Sequence, residues 1–153
     1  MFKKVFNIAD EQGTINLAQQ LANITHKRDV FALYGTLGAG KSVFSRAFIK
    51  SLVDVDDVPS PTFTLLQTYP YNDADIYHYD LYRLQNPEEI YELGLEEAIY
   101  NGICLIEWPE KAGNLLPRDI FKVEITPLNN QRIFTITVNS TEKAQRLEQI
   151  NVN

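Results

Sequence analysis

The sequence has little of what marks several large protein classes. Its one cysteine, Cys104, lies in an apolar run among 153 residues, so no intrachain disulfide is possible and a reducing compartment suffices. No stretch approaches the ~20 apolar residues of a membrane helix, and residues 1–7 lack the apolar core of a signal peptide. We therefore expect a cytoplasmic protein with no membrane contact.

Positive charge is also scarce. The net charge is −6 and the isoelectric point is about 4.9. Proteins that grip a nucleic-acid backbone usually carry a basic face, so we expect no direct DNA binding. Hydrophobic residues make up 44% of the chain and charged residues 22%, which is typical of a globular protein. The length predicts a single domain over residues 1–153.

One stretch carries an explicit chemical motif. Gly35–Ser42 reads Gly-Thr-Leu-Gly-Ala-Gly-Lys-Ser and fits the phosphate-loop pattern G-x-x-x-x-G-K-[ST]. Residues 29–34 before it predict a buried strand, and residues 41–52 after it predict an amphipathic helix. Such glycines let backbone N–H groups approach a polyphosphate, and the helix N-terminus attracts its charge. Lys41 would then reach the β- and γ-phosphates, and Ser42 would offer its hydroxyl to Mg²⁺.

Hydrophobic periodicity predicts the remaining elements. Strands are expected at 2–8, 63–71, 76–83, 102–106 and in a hairpin turned at 127–130, and helical segments after residue 14, from Pro87, at 95–100 and after Ser140. The unbroken apolar run before Glu107 suggests a strand buried on both faces, as in a parallel sheet. We expect an α/β fold of the P-loop NTPase type, with a parallel centre, antiparallel hairpins at the edges and helices on both faces.

Acidic residues provide candidates for a metal site beside the loop. Glu107 ends the buried apolar strand, where ligands gather in open α/β sheets, and Asp80 lies on a second, less apolar predicted strand. Glu107 could ligate Mg²⁺ directly, act through water, or orient the attacking water. Thr62, in the loop after the predicted helix, could join the metal shell when the γ-phosphate is present, as in switch-type nucleotide enzymes.

Other polar residues are weaker candidates. The residues from Glu11 to Thr14 precede a helix that leads towards the loop, so they could approach a nucleotide base or simply cap that helix. Arg83 and Arg132 could contact phosphate or ribose. His78 is interpreted as structural, because no second histidine or cysteine lies at zinc-ligand spacing.

Four motifs together resemble the bacterial TsaE (YjeE) family. They are Gly35–Ser42, then Ser60-Pro-Thr-Phe-Thr64, His78-Tyr-Asp-Leu-Tyr-Arg83 and Ile106-Glu-Trp-Pro-Glu-Lys111, spread over nearly the whole chain. The resemblance implies a small P-loop ATPase required for threonylcarbamoyladenosine at position 37 of tRNAs that read ANN codons. It further implies a TsaB–TsaD complex as partner, with ATP hydrolysis resetting that complex and tRNA contacted only indirectly.

The motifs and the resemblance together define an expected site that uses ATP and Mg²⁺. Lys41, Glu107 and Asp80 are the expected catalytic residues, and Ser42, Glu107 and Asp80 are expected to serve the metal. Nucleotide contacts are expected from Glu11, Thr14, Gly38, Ala39, Gly40, Lys41, Ser42, Val43, Thr62 and Arg132.

Two other functions share the phosphate loop. A small-molecule kinase usually has a lid with several arginines, whereas residues 62–102 contain Arg83 as their only lysine or arginine. The other is a GTPase-like switch or a nucleotide-binding module that does not hydrolyse its ligand. A guanine reader would carry Asn-Lys-x-Asp, and the sequence lacks that motif, so adenine is favoured. No arginine finger is evident near the loop, which predicts weak ATPase activity without a partner.

Overall fold

A mixed β-sheet forms the centre of the protein. The computed structural model describes residues 1–36 and 38–151, and within them the strands are β1 (Phe2–Ile8), β2 (Val30–Tyr34), β3 (Leu66–Tyr69), β4 (Ile76–Asp80), β5 (Ile103–Glu107), β6 (Phe121–Leu128) and β7 (Gln131–Val138). Their order across the sheet is β1-β7-β6-β2-β5-β4-β3. Strands β6, β2, β5 and β4 are mutually parallel, and β1–β7, β6–β7 and β3–β4 pair antiparallel. The predicted parallel centre with antiparallel edges is confirmed.

Helices cover both faces of this sheet. They are α1 (Glu11–Asn23), α2 (Lys41–Leu52), α3 (Leu95–Asn101) and α4 (Thr141–Glu148), with 3₁₀ segments at Pro87–Leu93 and at Pro109–Leu115, the second kinked at Gly113. Asp10 caps α1 by accepting a hydrogen bond from Gly13 N, and Ser140 caps α4 in the same way from Lys143 N. Helix α2 has the predicted bounds.

Side chains alternate between two cores along the central strands. On β2, Phe31 and Leu33 belong to the core that contains α1 and α2, whereas Val30 belongs to the core that contains α3. The Phe31 ring stacks on that of Phe121 with centroids 4.6 Å apart and meets the Phe48 ring of α2 edge-on at 5.0 Å. This packing holds the strand before the phosphate loop and the helix after it in fixed positions.

Two predicted strands are shorter than expected, for local reasons. Strand β4 ends at Asp80 because its Oδ1 accepts a hydrogen bond from Tyr82 N at 3.0 Å, which turns the chain. Strand β3 begins only at Leu66, since residues 62–64 form a turn and Leu65 has a left-handed φ of 68°. The turn predicted at 127–130 contracts to Asn129 and Asn130, which both adopt positive φ, as asparagine tolerates in tight hairpins.

A buried ion pair fastens α4 to the end of the sheet away from the phosphate loop. Arg146 donates Nη1–H to Asp29 Oδ2 at 2.6 Å and Nη2–H to Oδ1 at 2.9 Å, and the two side chains are 9% and 4% exposed. Burial alone would lower the pKa of Arg146, but its hydrogen bonds with Asp29 and Glu142 outweigh burial and raise it. Just beyond the C-terminus of α4, Lys4 donates to the carbonyl of Ile150 at 2.5 Å.

No helix in the described ranges combines the length and the apolar character that crossing a bilayer requires.

Candidate functional site

The loop between β2 and α2 is shaped to present backbone donors. Gly38 and Gly40 have φ of 79° and 110°, and a Cβ added to either would meet no atom within 4 Å. Gly40 precedes α2 without any side-chain cap, so the first N–H groups of the helix remain available to an anion. Within the motif, Leu37 lies outside the described residues. The described part has the free donors and open space that a phosphate group requires.

A cleft of about 260 Å³ opens in front of this loop. It unites most of the residues expected from sequence, and its lining consists of Gly38, Gly40, Lys41, Ser42, Val43, Ser60, Thr62, Asp80, Glu107 and Trp108. The loop, α2, the segment before β3 and the ends of β4 and β5 all contribute. Four separate parts of the sequence therefore converge on one surface.

Two carboxylates sit side by side in this cleft. Asp80 and Glu107 end neighbouring parallel strands and are paired in register, and both residues are buried. Thr62 donates its hydroxyl to Asp80 Oδ2 at 3.0 Å, and Ser60 Oγ lies 2.7 Å from Thr62 Oγ1. The loop before β3 is thus joined to the acidic pair through hydroxyl groups.

Glu107 has a partner that the sequence interpretation missed. Its Oε2 lies 2.6 Å from Nε2 of His78, and both side chains are less than 5% exposed. His78 precedes Asp80 by two positions on β4, so both project from the same face, which is also the face of Glu107. Alternation along the strand, together with the β4–β5 register, is the signal that would have identified this contact.

Lys41 lines the cleft, and neighbouring protein groups hold its ammonium in place. Its Nζ donates to the Gly35 carbonyl at 2.5 Å and lies 3.4 Å from the centroid of the Trp108 ring. Trp108 itself adopts a left-handed φ of 57° and packs against Tyr82. Burial lowers the pKa of Lys41, although Glu107 and other nearby carboxylates oppose that shift.

A second cleft of about 250 Å³ lies on the other side of the glycines. Its lining includes Glu11, Val43 and Arg132 together with Gly38 and Gly40. Thr14 is buried, 3% exposed, and lines neither cleft. A nucleotide contact at Thr14, as expected from sequence, would therefore require α1 to move.

The two arginine candidates have different surroundings. Arg132 donates Nε to the Ala39 carbonyl at 3.0 Å and NH2 to the Gly38 carbonyl at 3.3 Å, so it braces the loop from β7. Arg83 lies over the exposed ring of Phe63 and lines neither cleft.

The donor set suits a divalent cation that arrives with phosphates. Within the described ranges, no three histidine, cysteine, aspartate or glutamate side chains cluster as a ready-made metal cage. Mg²⁺ in nucleotide enzymes typically takes only one or two protein carboxylates, and phosphates and water supply the other ligands. Asp80, Glu107 and the Ser42 hydroxyl, all facing one cleft, fit that requirement.

Comparison with known proteins identifies the family of the chain. Residues 8–134 match the family model described as "Threonylcarbamoyl adenosine biosynthesis protein TsaE". The chain is 46% identical over 137 residues to the Rickettsia conorii tRNA threonylcarbamoyladenosine biosynthesis protein TsaE, an alignment that covers 88% of this chain and 78% of the relative. The protein of the same name from Haemophilus influenzae is 36% identical over 131 residues, covering 82% and 83% of the two chains.

A solved structure extends the agreement to the fold. The crystal structure of Bacillus subtilis YdiB superposes with a TM-score of 0.81 at 25% sequence identity, covering 97% of this chain and 93% of that one.

Proposed function

Because the chain belongs to the TsaE family, whose members are nucleotide-binding P-loop proteins of tRNA threonylcarbamoyladenosine biosynthesis, we propose that it hydrolyses Mg-ATP to drive or reset the complex that forms this modification. One observation carries the proposal. The Asp80–Glu107 pair shares a cleft with Lys41 and Ser42 of the phosphate loop. A site for binding alone needs the loop, whereas hydrolysis also needs groups that serve the metal and the attacking water.

Each residue of the cleft has a defined part in this proposal. The free N–H groups at the start of α2 and the Lys41 ammonium bind the phosphates, and Ser42 with Asp80 and Glu107 holds Mg²⁺ or its water ligands. When bound, Mg²⁺ neutralises charge that develops on the phosphate oxygens. Glu11, Val43 and Arg132 line the neighbouring cleft, where the nucleoside end of ATP has room.

The loop at Ser60–Thr62 gives the site a means to respond to nucleotide state. Thr62 donates a hydrogen bond from its hydroxyl to Asp80. A cation that binds Asp80 competes with that hydrogen bond. Loops held in this way change position when the terminal phosphate is present or absent, as in switch-type nucleotide enzymes. The proposed output is therefore a change in a partner protein.

The partner proposed here is a TsaB–TsaD-like complex in the cytoplasm. Among the described residues that line the cleft, Lys41 is the only cationic side chain. Phosphoryl transfer is accelerated strongly by an arginine supplied from another protein, so a docked partner can complete the site. The net charge of −6 suits a protein that meets tRNA through a partner rather than directly.

ATPase activity measured with and without a purified TsaB–TsaD-like complex tests this function. We expect slow hydrolysis by the isolated chain and at least about tenfold stimulation by the complex, since a partner-supplied cation contributes strongly to the rate. Calorimetric titration with ATP and GTP is expected to favour ATP. GTP-selective binding, or phosphoryl transfer to a small acceptor in a substrate screen, contradicts the proposal.

Replacing Glu107 by glutamine should separate binding from hydrolysis. We expect turnover to fall by at least about 100-fold, because a neutral amide serves neither the metal nor the attacking water, while ATP still binds. Glu96→Gln is the matched control, since Glu96 is an exposed glutamate of α3 that lines neither cleft, and it should retain turnover. Wild-type turnover by Glu107→Gln would show that the Glu107 carboxylate is not needed for hydrolysis.

The single tryptophan provides an optical reading of the loop. Trp108 is the only tryptophan in the chain, and its ring contacts the Lys41 ammonium. A phosphate that attracts Lys41 withdraws the cation from the indole, so Mg-ATP should change the fluorescence in a saturable way. The Lys41→Met variant should show no such change. Binding detected by calorimetry with an unchanged wild-type emission spectrum would contradict this contact.

A further inference from the structure

The His78 imidazole touches the cleft only through Glu107. His78 is absent from the cleft lining, and the one side-chain hydrogen bond it makes to a described residue joins Nε2 and Glu107 Oε2 at 2.6 Å. The other ring nitrogen, Nδ1, is buried and has no partner within the described ranges. All the polar bonding of this buried ring is thus directed at one carboxylate.

That geometry is unusual for a histidine that serves packing alone. Burying a polar nitrogen without a hydrogen bond is unfavourable, and an apolar side chain of similar size would avoid that cost. The contact with Glu107 offsets part of it, because a hydrogen bond to an ionised carboxylate is stronger than one between neutral groups. The ring therefore has a specific task at Glu107.

We propose that His78 is a positioning residue for the hydrolysis assigned to this site. It donates its Nε2–H to Glu107 Oε2, holds the flexible glutamate side chain in one rotamer, and leaves Oε1 free of hydrogen bonds from the described residues. Glu107 lines the cleft, so the free oxygen is the one that serves the reaction. This inference rests on the proposed function and adds a residue that acts through Glu107.

Two amide substitutions at His78 test whether the hydrogen bond to Glu107, rather than a polar side chain at this position, is what matters. The side-chain nitrogen of glutamine lies as far along the chain from Cα as Nε2 of histidine, whereas that of asparagine is one bond nearer. His78→Gln can therefore still reach Glu107, and His78→Asn cannot. We expect His78→Asn to lower kcat by about 10–100-fold, the usual effect of losing a group that orients a metal-site ligand, with little change in ATP affinity. His78→Gln should restore most of kcat.

The rotamer of Glu107 can be measured independently of activity. In crystal structures of the nucleotide-free variants, Glu107 should keep its rotamer in His78→Gln and leave it in His78→Asn. Tyr79→Phe is the structural control. It removes the hydrogen bond from the Tyr79 hydroxyl to the Leu93 carbonyl, which lies on the opposite face of the sheet from His78. Its kcat should match that of the wild type even if its melting temperature falls.

The outcomes distinguish this inference from the function on which it rests. Wild-type kcat in His78→Asn, or an unmoved Glu107 in its structure, overturns the positioning role. If His78→Asn does not fold, His78→Gln decides, because a well-folded but slow glutamine variant also overturns it. Normal turnover by Glu107→Gln overturns the proposed hydrolysis instead, whereas a slow Glu107→Gln beside a fast His78→Asn overturns only the role of His78.

Discussion

Replacing Lys41 by alanine is expected to lower ATP hydrolysis by about 10²–10³-fold, the usual effect of removing one group that stabilises charge in a transition state. The loss should be large because Lys41 is the only cation among the described residues that line the cleft. Negative charge that builds on the phosphates would then face Asp80 and Glu107 without an opposing ammonium. Steady-state hydrolysis with the stimulating complex, together with ATP titration, measures the effect.

The matched control for this substitution lies on the same helix. Lys50 occupies the last turn of α2 and is exposed, far along the helix from the loop. Lys50→Ala should preserve both ATP affinity and turnover, since surface substitutions of this kind have small effects. A Lys41→Ala variant that binds and hydrolyses ATP like the wild type would refute the assigned role of the phosphate loop.

Truncating Asp29 is expected to cost about 3 kcal/mol of the free energy of unfolding. Removing one member of a buried ion pair typically costs about 3–5 kcal/mol, because the remaining charge stays buried without its partner. The lower end applies here, since Arg146 keeps hydrogen bonds to Glu142 and to the Ile24 carbonyl. Urea denaturation of Asp29→Ala and of the wild type measures the change, provided that the free energy of unfolding depends on urea concentration with the same slope in both.

A neighbouring aspartate provides the comparison. Asp119 also contacts α4, through Lys143 at 3.1 Å, but its side chain is 55% exposed. Exposed pairs contribute about 0–1 kcal/mol, so Asp119→Ala should leave stability nearly unchanged. Equal losses from Asp29→Ala and Asp119→Ala would show that burial does not determine the strength of this network. ATP turnover at a temperature where Asp29→Ala is fully folded should be normal, because Asp29 lies at the opposite end of β2 from the loop.

Local patterns were sufficient to predict most elements and to select residues that line one candidate cleft. The apolar run before Glu107 predicted a central parallel strand, and the bounds of α2 follow from the motif and the amphipathic pattern after it. Both signals are contained in short windows, where side-chain periodicity directly reflects burial. The same holds for Ser140, after which the last helix was expected and which caps α4.

Contacts between distant parts of the chain could not be predicted in this way. The pairing of His78 with Glu107 depends on the register between β4 and β5, which neither strand's own pattern specifies. Arg146 and Asp29 are 117 positions apart, so their ion pair depends on where α4 packs. Arg132 lines the second cleft, where a nucleotide contact was expected, but its hydrogen bonds to the carbonyls of Ala39 and Gly38 were not indicated by the pattern of β7.

The restraint on Lys41 has a consequence for the order of events in a catalytic cycle. The Gly35 carbonyl and the Trp108 ring act as internal competitors for an ammonium that phosphate groups also attract. Every nucleotide must displace them, so its observed affinity is reduced by the stability of the closed arrangement, for ATP and ADP alike. When product leaves, the lysine returns to partners already in place. In the proposed cycle this competitor weakens the binding of both nucleotides equally, so it leaves their relative affinities unchanged while it keeps the site from retaining either one.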